Sequence, residues 1–141
     1  MNTLSNNGIQ IRRIRPLDEP ELGAFFEIVL RHTYLKEDLM SFENEMIQEI
    51  EVKKQYVRDD INTGGAKRFL LVAVDQSRIV GTLSIGAASD NDIIVEKAPK
   101  YRQMYELGTA FVHPDEQNKG IVSNLIDAMC VELRSRGETS F

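Results

Sequence analysis

One stretch, Met104 to Gly137, constrains the fold more than any other part of the chain. It runs MYELGTAFVHPDEQNKGIVSNLIDAMCVELRSRG. Its first part has the alternation of a β-strand, and by a period of two one face is predicted to carry Tyr105, Leu107, Thr109, Phe111 and His113. Pro114 then ends the strand, because proline lacks the N–H that a β-ladder needs.

An amphipathic helix is predicted to begin near Lys119 or Gly120 and to end at Gly137. Its apolar residues recur at spacings of three and four: Ile121, Leu125, Ile126, Met129 and Leu133. The segment Gln117 to Val122 therefore lies at a helix N-terminus, where N–H groups without intrahelical partners and the helix dipole favour an anion. Because Gly120 leaves room near the backbone, we predict a phosphate-binding loop here.

The strand, the HPDEQ turn and the QNKGIV loop resemble motif A of the GNAT superfamily of acetyl-CoA-dependent N-acetyltransferases. The family pattern is Gln/Arg-x-x-Gly-x-Gly/Ala. Gln117 and Gly120 match it, whereas Val122 stands where the family has a small residue. The likeness extends back through the RFLLVAV and IVGTLSIG strands to the IRRIRPLDEPEL opening. It implies an α/β fold with a mixed, mostly antiparallel central sheet flanked by helices, in the order β-α-α-β-β-β-α.

The elements before motif A follow from local patterns. Residues 1–8 are polar and are predicted to be frayed, and a short strand follows at Ile9 to Ile14. Helices are predicted from Asp18 to Thr33 and from Ser41 to Ile61. Two apolar strands, 69–74 and 79–85, are predicted to form a hairpin. The resemblance implies that the link between the two helices, 31–40, helps to wall the acceptor site.

The 141 residues are expected to form a single domain, 1–141. After its motif A helix the family continues with a β-α-β-β segment, of which only residues 138–141 could be a start. The resemblance therefore implies a C-terminally truncated domain. A long apolar strand left at a sheet edge tends to pair with another chain, which predicts a homodimer if residues 1–141 are the whole molecule.

Composition excludes several classes of function. The net charge of −5 and the sequence pI of about 5.1 argue against a nucleic-acid partner. No apolar run approaches the roughly 20 residues that span a bilayer, and the N-terminus lacks the pattern of a signal peptide, so no membrane association and a cytoplasmic location are expected. Cys130 is the only cysteine, which excludes an internal disulfide or a cysteine-based metal cluster, and no metal site is expected.

One segment carries the charge imbalance. From Glu37 to Asp60 there are eight acids and three bases. Such a segment could form an acidic wall that favours a cationic amine. It could equally be a solvated helix face, because pairs such as Glu49 and Lys53 lie at i,i+4. The sequence leaves both interpretations open.

The resemblance implies direct transfer of an acetyl group from acetyl-CoA to a primary amine of a small molecule or peptide. The backbone of Phe111, Val112 and His113 would line the pantetheine arm. The diphosphate would bind the loop residues Gln117, Asn118, Lys119, Gly120, Ile121 and Val122. Glu106 precedes Gln117 by eleven residues, the spacing at which histone-type members carry a general base. It could instead be a solvent-facing residue at the start of a strand.

A second interpretation belongs to a different class of protein. Val122 and the chain end at Phe141 favour a degenerate or truncated GNAT domain, which would act as a CoA-binding or protein-association module without catalysis. The intact strand, loop and helix favour the enzyme. The most useful observation for choosing between the two is whether the natural reading frame continues past Phe141.

Overall fold

The fold is that of a computed structural model, which describes residues 2–4, 8–87, 96–97, 100 and 105–136. Three helices are α1 (Glu19–Lys36), α2 (Glu43–Thr63) and α3 (Ile121–Ser135). Five strands are β1 (Asn2–Leu4), β2 (Gln10–Arg13), β3 (Arg68–Asp75), β4 (Arg78–Ala87) and β5 (Tyr105–Val112). Short 3-10 turns span Pro16–Asp18, Met40–Phe42 and Pro114–Glu116.

The five strands form one antiparallel sheet in the order β1-β2-β3-β4-β5. The predicted α/β class with a mostly antiparallel sheet is confirmed, and so is the order of helices and strands from β2 to α3. The prediction of a frayed N-terminus was wrong for Asn2–Leu4, whose backbone pairs with β2. Pairing of backbone N–H and C=O groups does not require apolar side chains, so a polar segment can still extend a sheet.

The helices cover both faces of the sheet. Helices α1 and α2 lie on one face, around a core of Leu22, Phe25, Phe26, Val57, Leu70 and Val72. Helix α3 lies on the other face, around Ile11, Leu71, Val80, Leu83, Leu125 and Met129. Because both sides of β3 and β4 are buried, their sequences are continuous apolar runs rather than alternating ones.

The observed helix boundaries differ from the predicted ones by only a few residues. Helix α1 continues to Lys36, so much of the predicted 31–40 link is helical. The predicted hairpin of β3 and β4 is confirmed, with Gln76 and Ser77 both at positive φ in its turn. The predicted helix end at Gly137 and the possible strand start at 138–141 lie outside the described residues.

Candidate functional site

A cavity of about 350 Å³ lies where β5 ends and α3 begins. It is lined by Ala110, Val112, Glu116, Gln117, Asn118, Gly120, Ile121, Val122 and Ser123. Strand β5, the loop and the first turn of α3 all contribute to its wall. The two ends of the motif A segment therefore meet around one space.

The loop presents a helix N-terminus to this cavity. Gly120 occupies the N-cap position with φ 73°, a left-handed conformation that side chains strain, and a Cβ built on it would meet no atom within 4 Å. The first backbone bond of α3 runs from Asn124 N to Gly120 O at 3.0 Å. Three N–H groups come before this first helical donor, those of Ile121, Val122 and Ser123. All three residues line the cavity.

A glycine in β4 allows α3 to lie this close to the sheet. A Cβ at Gly81 would lie 2.8 Å from Ile121 Cγ2, 3.3 Å from Leu125 Cδ1 and 3.3 Å from the carbonyl oxygen of Phe111. Real Cβ atoms do not approach so closely, so any side chain here would push the first turn of α3 outward. The glycine thus helps to set the depth of the cavity.

Glu116 is the buried charged residue at the wall of the cavity, and it holds two cations. Its carboxylate accepts from Arg78 Nη2 at 2.6 Å and from Lys119 Nζ at 2.7 Å. The hydrogen bond from Lys119 is the main cause that holds the pKa of Glu116 below its usual value; burial opposes it and Arg78 lowers the pKa further. A bound anion would therefore meet the carboxylate of Glu116, whose charge is offset by the two cations that it holds.

A β-bulge in β5 changes which side chains face the cavity. Thr82 pairs with Phe111 and Ser84 pairs with Gly108, so Thr109 and Ala110 together stand opposite Leu83. Thr109 adopts φ 49°, and its carbonyl accepts from Thr82 Oγ1 at 2.7 Å.

The extra residue corrects the predicted face of β5. Leu107 packs in the core under α3, whereas Phe111 packs on the other face, with its ring 6.1 Å from that of Phe26. Simple alternation over Tyr105 to His113 was therefore wrong beyond Gly108. The bulge reverses the order of inward and outward positions because it adds a single residue to a pattern whose period is two.

The structure brings together six of the nine residues predicted to hold the coenzyme: Val112, Gln117, Asn118, Gly120, Ile121 and Val122. The side chain of Phe111 points to α1 and α2. His113 borders a separate cavity of about 180 Å³, and its Nδ1 accepts from Asp115 N at 3.2 Å. Lys119 is held by Glu116. No group of three or more metal-binding side chains occurs within the described part of the chain.

Glu106 lies on the α2 face of the sheet, half-buried and away from this cavity. It pairs in register with Gly86, which pairs with Arg68, so the three positions form one row across β5, β4 and β3. Its charge acts on Lys53 of α2. The carboxylate of Glu106 thus lies on the opposite face of the sheet from the helix that begins at the loop Gln117 to Val122.

Several residues of the cavity and of the α2 face of the sheet were not predicted from the sequence. Ala110 and Ser123 line the cavity as neighbours of predicted positions, and Glu116 could have been suspected from its i,i+3 spacing to Lys119. On the α2 face, Tyr34 donates to Glu49 Oε2 at 3.1 Å and the Arg68 guanidinium lies 3.8 Å from the ring centroid of Tyr56. No sequence signal joins these residues, because they come from three different elements.

Comparison with known proteins gives one family. The model of the Acetyltransferase (GNAT) family matches residues 30–141. Among curated proteins, none matches this sequence significantly. No helix among the described residues has the length and apolar character to cross a membrane.

Solved structures share the fold at low sequence identity. PaiA N-acetyltransferase from Thermoplasma acidophilum, in complex with coenzyme A, is 16% identical with a TM-score of 0.64, over 92% of this chain and 74% of that one. A GNAT family acetyltransferase from Brucella melitensis, in complex with acetyl-CoA, is 21% identical with a TM-score of 0.61, over 92% and 71%. Ribosomal-protein-alanine N-acetyltransferase from the same organism is 24% identical with a TM-score of 0.59, over 89% and 67%.

Proposed function

Because this chain belongs to the acetyltransferase (GNAT) family, we propose that it transfers the acetyl group of acetyl-CoA to a primary amine of a small molecule or peptide by direct attack. The observation that carries the proposal is the cavity between the end of β5 and the first turn of α3. Two of the solved structures that share the fold were determined with coenzyme A or acetyl-CoA bound. A cytoplasmic location is part of the proposal.

The loop Gln117 to Val122 is proposed to hold the diphosphate. Backbone N–H groups at the start of α3 and the helix dipole attract the anion without a side-chain base, and the open space beside Gly120 admits it. Val122 takes the place of the small residue of the family pattern, and its side chain forms part of the cavity wall. The cavity nevertheless retains about 350 Å³ beside this valine.

The pantetheine arm is proposed to lie along β5, which is one of the two edge strands of the described sheet. An outer strand offers backbone groups to an extended ligand, as in the addition of a peptide strand to a sheet edge. Backbone N–H groups near Phe111 and Val112 would then stabilise the oxyanion that forms when the amine attacks the thioester carbon. The carbon–nitrogen bond forms, the carbon–sulfur bond breaks, and coenzyme A leaves with a proton from the amine.

Glu106 is proposed to accept a proton from the amine, directly or through water. Its position on the α2 face matches an acceptor that approaches from the side of α1 and α2 while the diphosphate lies at α3. The alternative function, a domain that binds CoA without catalysis, is favoured by Val122 and by the carboxylate of Glu116 inside the cavity. Acetyl-CoA binding together with the absence of acetyl transfer to any amine of a broad panel would support that alternative.

The diphosphate loop is tested with a pair of matched glycine variants. Gly120→Val should abolish acetyl-CoA binding in calorimetry, because a β-branched side chain both strains the left-handed backbone by roughly 1–2 kcal/mol and fills the space beside the loop. Gly64→Val is the control: Gly64 also has a positive φ and open space, yet it ends α2 away from the cavity. If both variants bind acetyl-CoA as the unmodified protein does, the proposed loop is wrong.

A further inference from the structure

Lys53 is an amine on the α2 face of the sheet, close to the strand along which the thioester is proposed to lie. Its Nζ is 5.1 Å from the ring centroid of Tyr56 and 5.9 Å from that of Phe111. The side chain is half-buried, and within the described residues no hydrogen bond or ion pair holds its ammonium group. Two aromatic rings thus lie near the cation, and the carboxylates of Glu49 and Glu106 act on it through their charge alone among the described residues.

The surroundings of Lys53 favour its neutral form more than those of an exposed lysine do. Burial is the main cause that lowers the pKa of Lys53, and the positive charge of Arg68 on β3 lowers it further. Glu49 on α2 and Glu106 on β5 act in the opposite direction without reversing the shift. From α1, Tyr34 donates its hydroxyl to Glu49 and so shares that carboxylate. A larger share of Lys53 is therefore an uncharged nucleophile at neutral pH.

We infer that Lys53 is itself an acetyl acceptor, so that the protein acetylates its own α2 helix from bound acetyl-CoA. The lone pair of Nζ attacks the thioester carbonyl carbon, the Nζ–carbon bond forms and the carbon–sulfur bond breaks. Coenzyme A leaves as a thiol after it takes up the proton that the amine releases through Glu106 or water. The inference rests on the proposed acetyl-CoA site and adds a modification site to it.

Acetylation would alter the face that an external acceptor must approach. The acetyl group removes the positive charge of Lys53 and adds an uncharged amide beside the rings of Tyr56 and Phe111. The site would then lose a cation and lose open space. The modified form should accept external amines more slowly than the unmodified form.

The test is incubation of the purified 141-residue chain with acetyl-CoA, followed by peptide mass spectrometry at each lysine. Lys54 is the internal control: it is the next residue on α2, its side chain is 30% exposed, and its Nζ lies 3.5 Å from Glu51. Lys53 should be acetylated at least about ten-fold faster than Lys54, because a bound thioester is held near it. Its rate should not depend on protein concentration, since the reaction occurs within one molecule.

Three further measurements distinguish acetylation of Lys53 by bound acetyl-CoA from non-enzymatic acetylation by free acetyl-CoA. Excess coenzyme A should suppress acetylation at Lys53 but not at Lys54. The Lys53 rate should rise with pH and level off below the usual pKa of a lysine side chain, because burial lowers the pKa of Lys53. Lys53→Arg keeps the charge above the rings and should remove the fast acetylation, while Lys54→Arg should retain it.

The outcomes distinguish this inference from the proposed function. If calorimetry detects acetyl-CoA binding and Lys53 reacts no faster than Lys54, self-acetylation is wrong and the acetyltransferase proposal stands. If acetyl-CoA does not bind, both are overturned. Fast acetylation of Lys53 that coenzyme A suppresses supports both.

Discussion

Glu116 is a single residue that holds two cations at the wall of the cavity. Its carboxylate binds Arg78 and Lys119 at once, and its own charge lies where an anionic diphosphate is proposed to bind. A Lys119 that contacts the diphosphate would have to exchange one anion for another when acetyl-CoA binds. Such an exchange reduces the net gain from the attraction between lysine and phosphate.

Glu116→Gln should bind acetyl-CoA more tightly than the unmodified protein, because the substitution removes the repulsion and releases Lys119 for the phosphates. We expect a gain of roughly two- to five-fold at low salt that shrinks as salt is added, as for other partly exposed ion pairs. Calorimetry at two salt concentrations measures it. The control is Glu132→Gln, which removes the ion pair with Arg136 at the other end of α3. Weaker binding by Glu116→Gln would instead show that Glu116 positions Lys119 for the ligand.

Glu106 is the second residue whose role can be isolated. If it accepts the proton of the amine, Glu106→Gln should lower turnover by about two to four orders of magnitude with little change in acetyl-CoA affinity. Glu51→Gln, a variant at an exposed residue of α2, serves as the control. A Glu106→Gln variant with an unaltered rate would assign the proton transfer to another group or to bulk water.

At the scale of elements, the sequence predicted those features that local patterns determine. Periodicity identified α1, α2, α3 and the hairpin of β3 and β4, because burial of one stripe or one run leaves a direct trace in the apolar residues. The bulge at Thr109 and Ala110 leaves no such trace. It is a property of the register between β4 and β5, and neither strand alone carries that information. The error about Phe111 follows from this.

The close packing of β4 against α3 at Gly81 gives a prediction about the position of the whole helix. Gly81→Ala should destabilise the protein by about 1–3 kcal/mol, because the new methyl group would overlap Ile121 Cγ2. It should also weaken acetyl-CoA binding, since the first turn of α3 must move. Thermal unfolding and calorimetry measure the two effects.

A helix glycine provides the control for Gly81→Ala. Gly23 lies within α1, and a Cβ there would contact only the flexible side chain of Lys54. Alanine also has a higher helix propensity than glycine. Gly23→Ala should be as stable as the unmodified protein or more stable. If Gly81→Ala leaves both stability and affinity unchanged, the glycine does not set the depth of the cavity.

At the scale of the whole molecule, one sheet separates two kinds of chemistry. The cavity at α3 is the proposed site of the diphosphate, and the charged and aromatic cluster at α2 is the proposed site of the amine and its proton. Six residues predicted to hold the coenzyme line one cavity, because they lie close together in the chain. In the second region the sequence pointed to Glu106 but not to the surrounding cluster, because Tyr34, Lys53 and Arg68 come from three separate elements.

Self-association is a prediction for the whole molecule. Strand β5 is an edge strand of the described sheet, and its backbone edge is also the proposed path of the pantetheine arm. The purified 141-residue chain is expected to form dimers through this edge at roughly tens of micromolar, and saturating acetyl-CoA is expected to dissociate them. Light scattering with and without acetyl-CoA measures both effects. A monomer at these concentrations in the absence of ligand contradicts the prediction.

The bulge adds one residue to β5 and so shifts the alternation of its two faces once. Because Thr109 and Ala110 share the position opposite Leu83, deletion of either residue would restore strict alternation and leave Phe111 and Val112 on their present sides. If all residues were kept and the bulge were lost, Phe111 would instead turn toward the cavity and Val112 would turn toward α1 and α2. The number of residues in this strand, and not their identity alone, therefore decides which surface receives the aromatic ring.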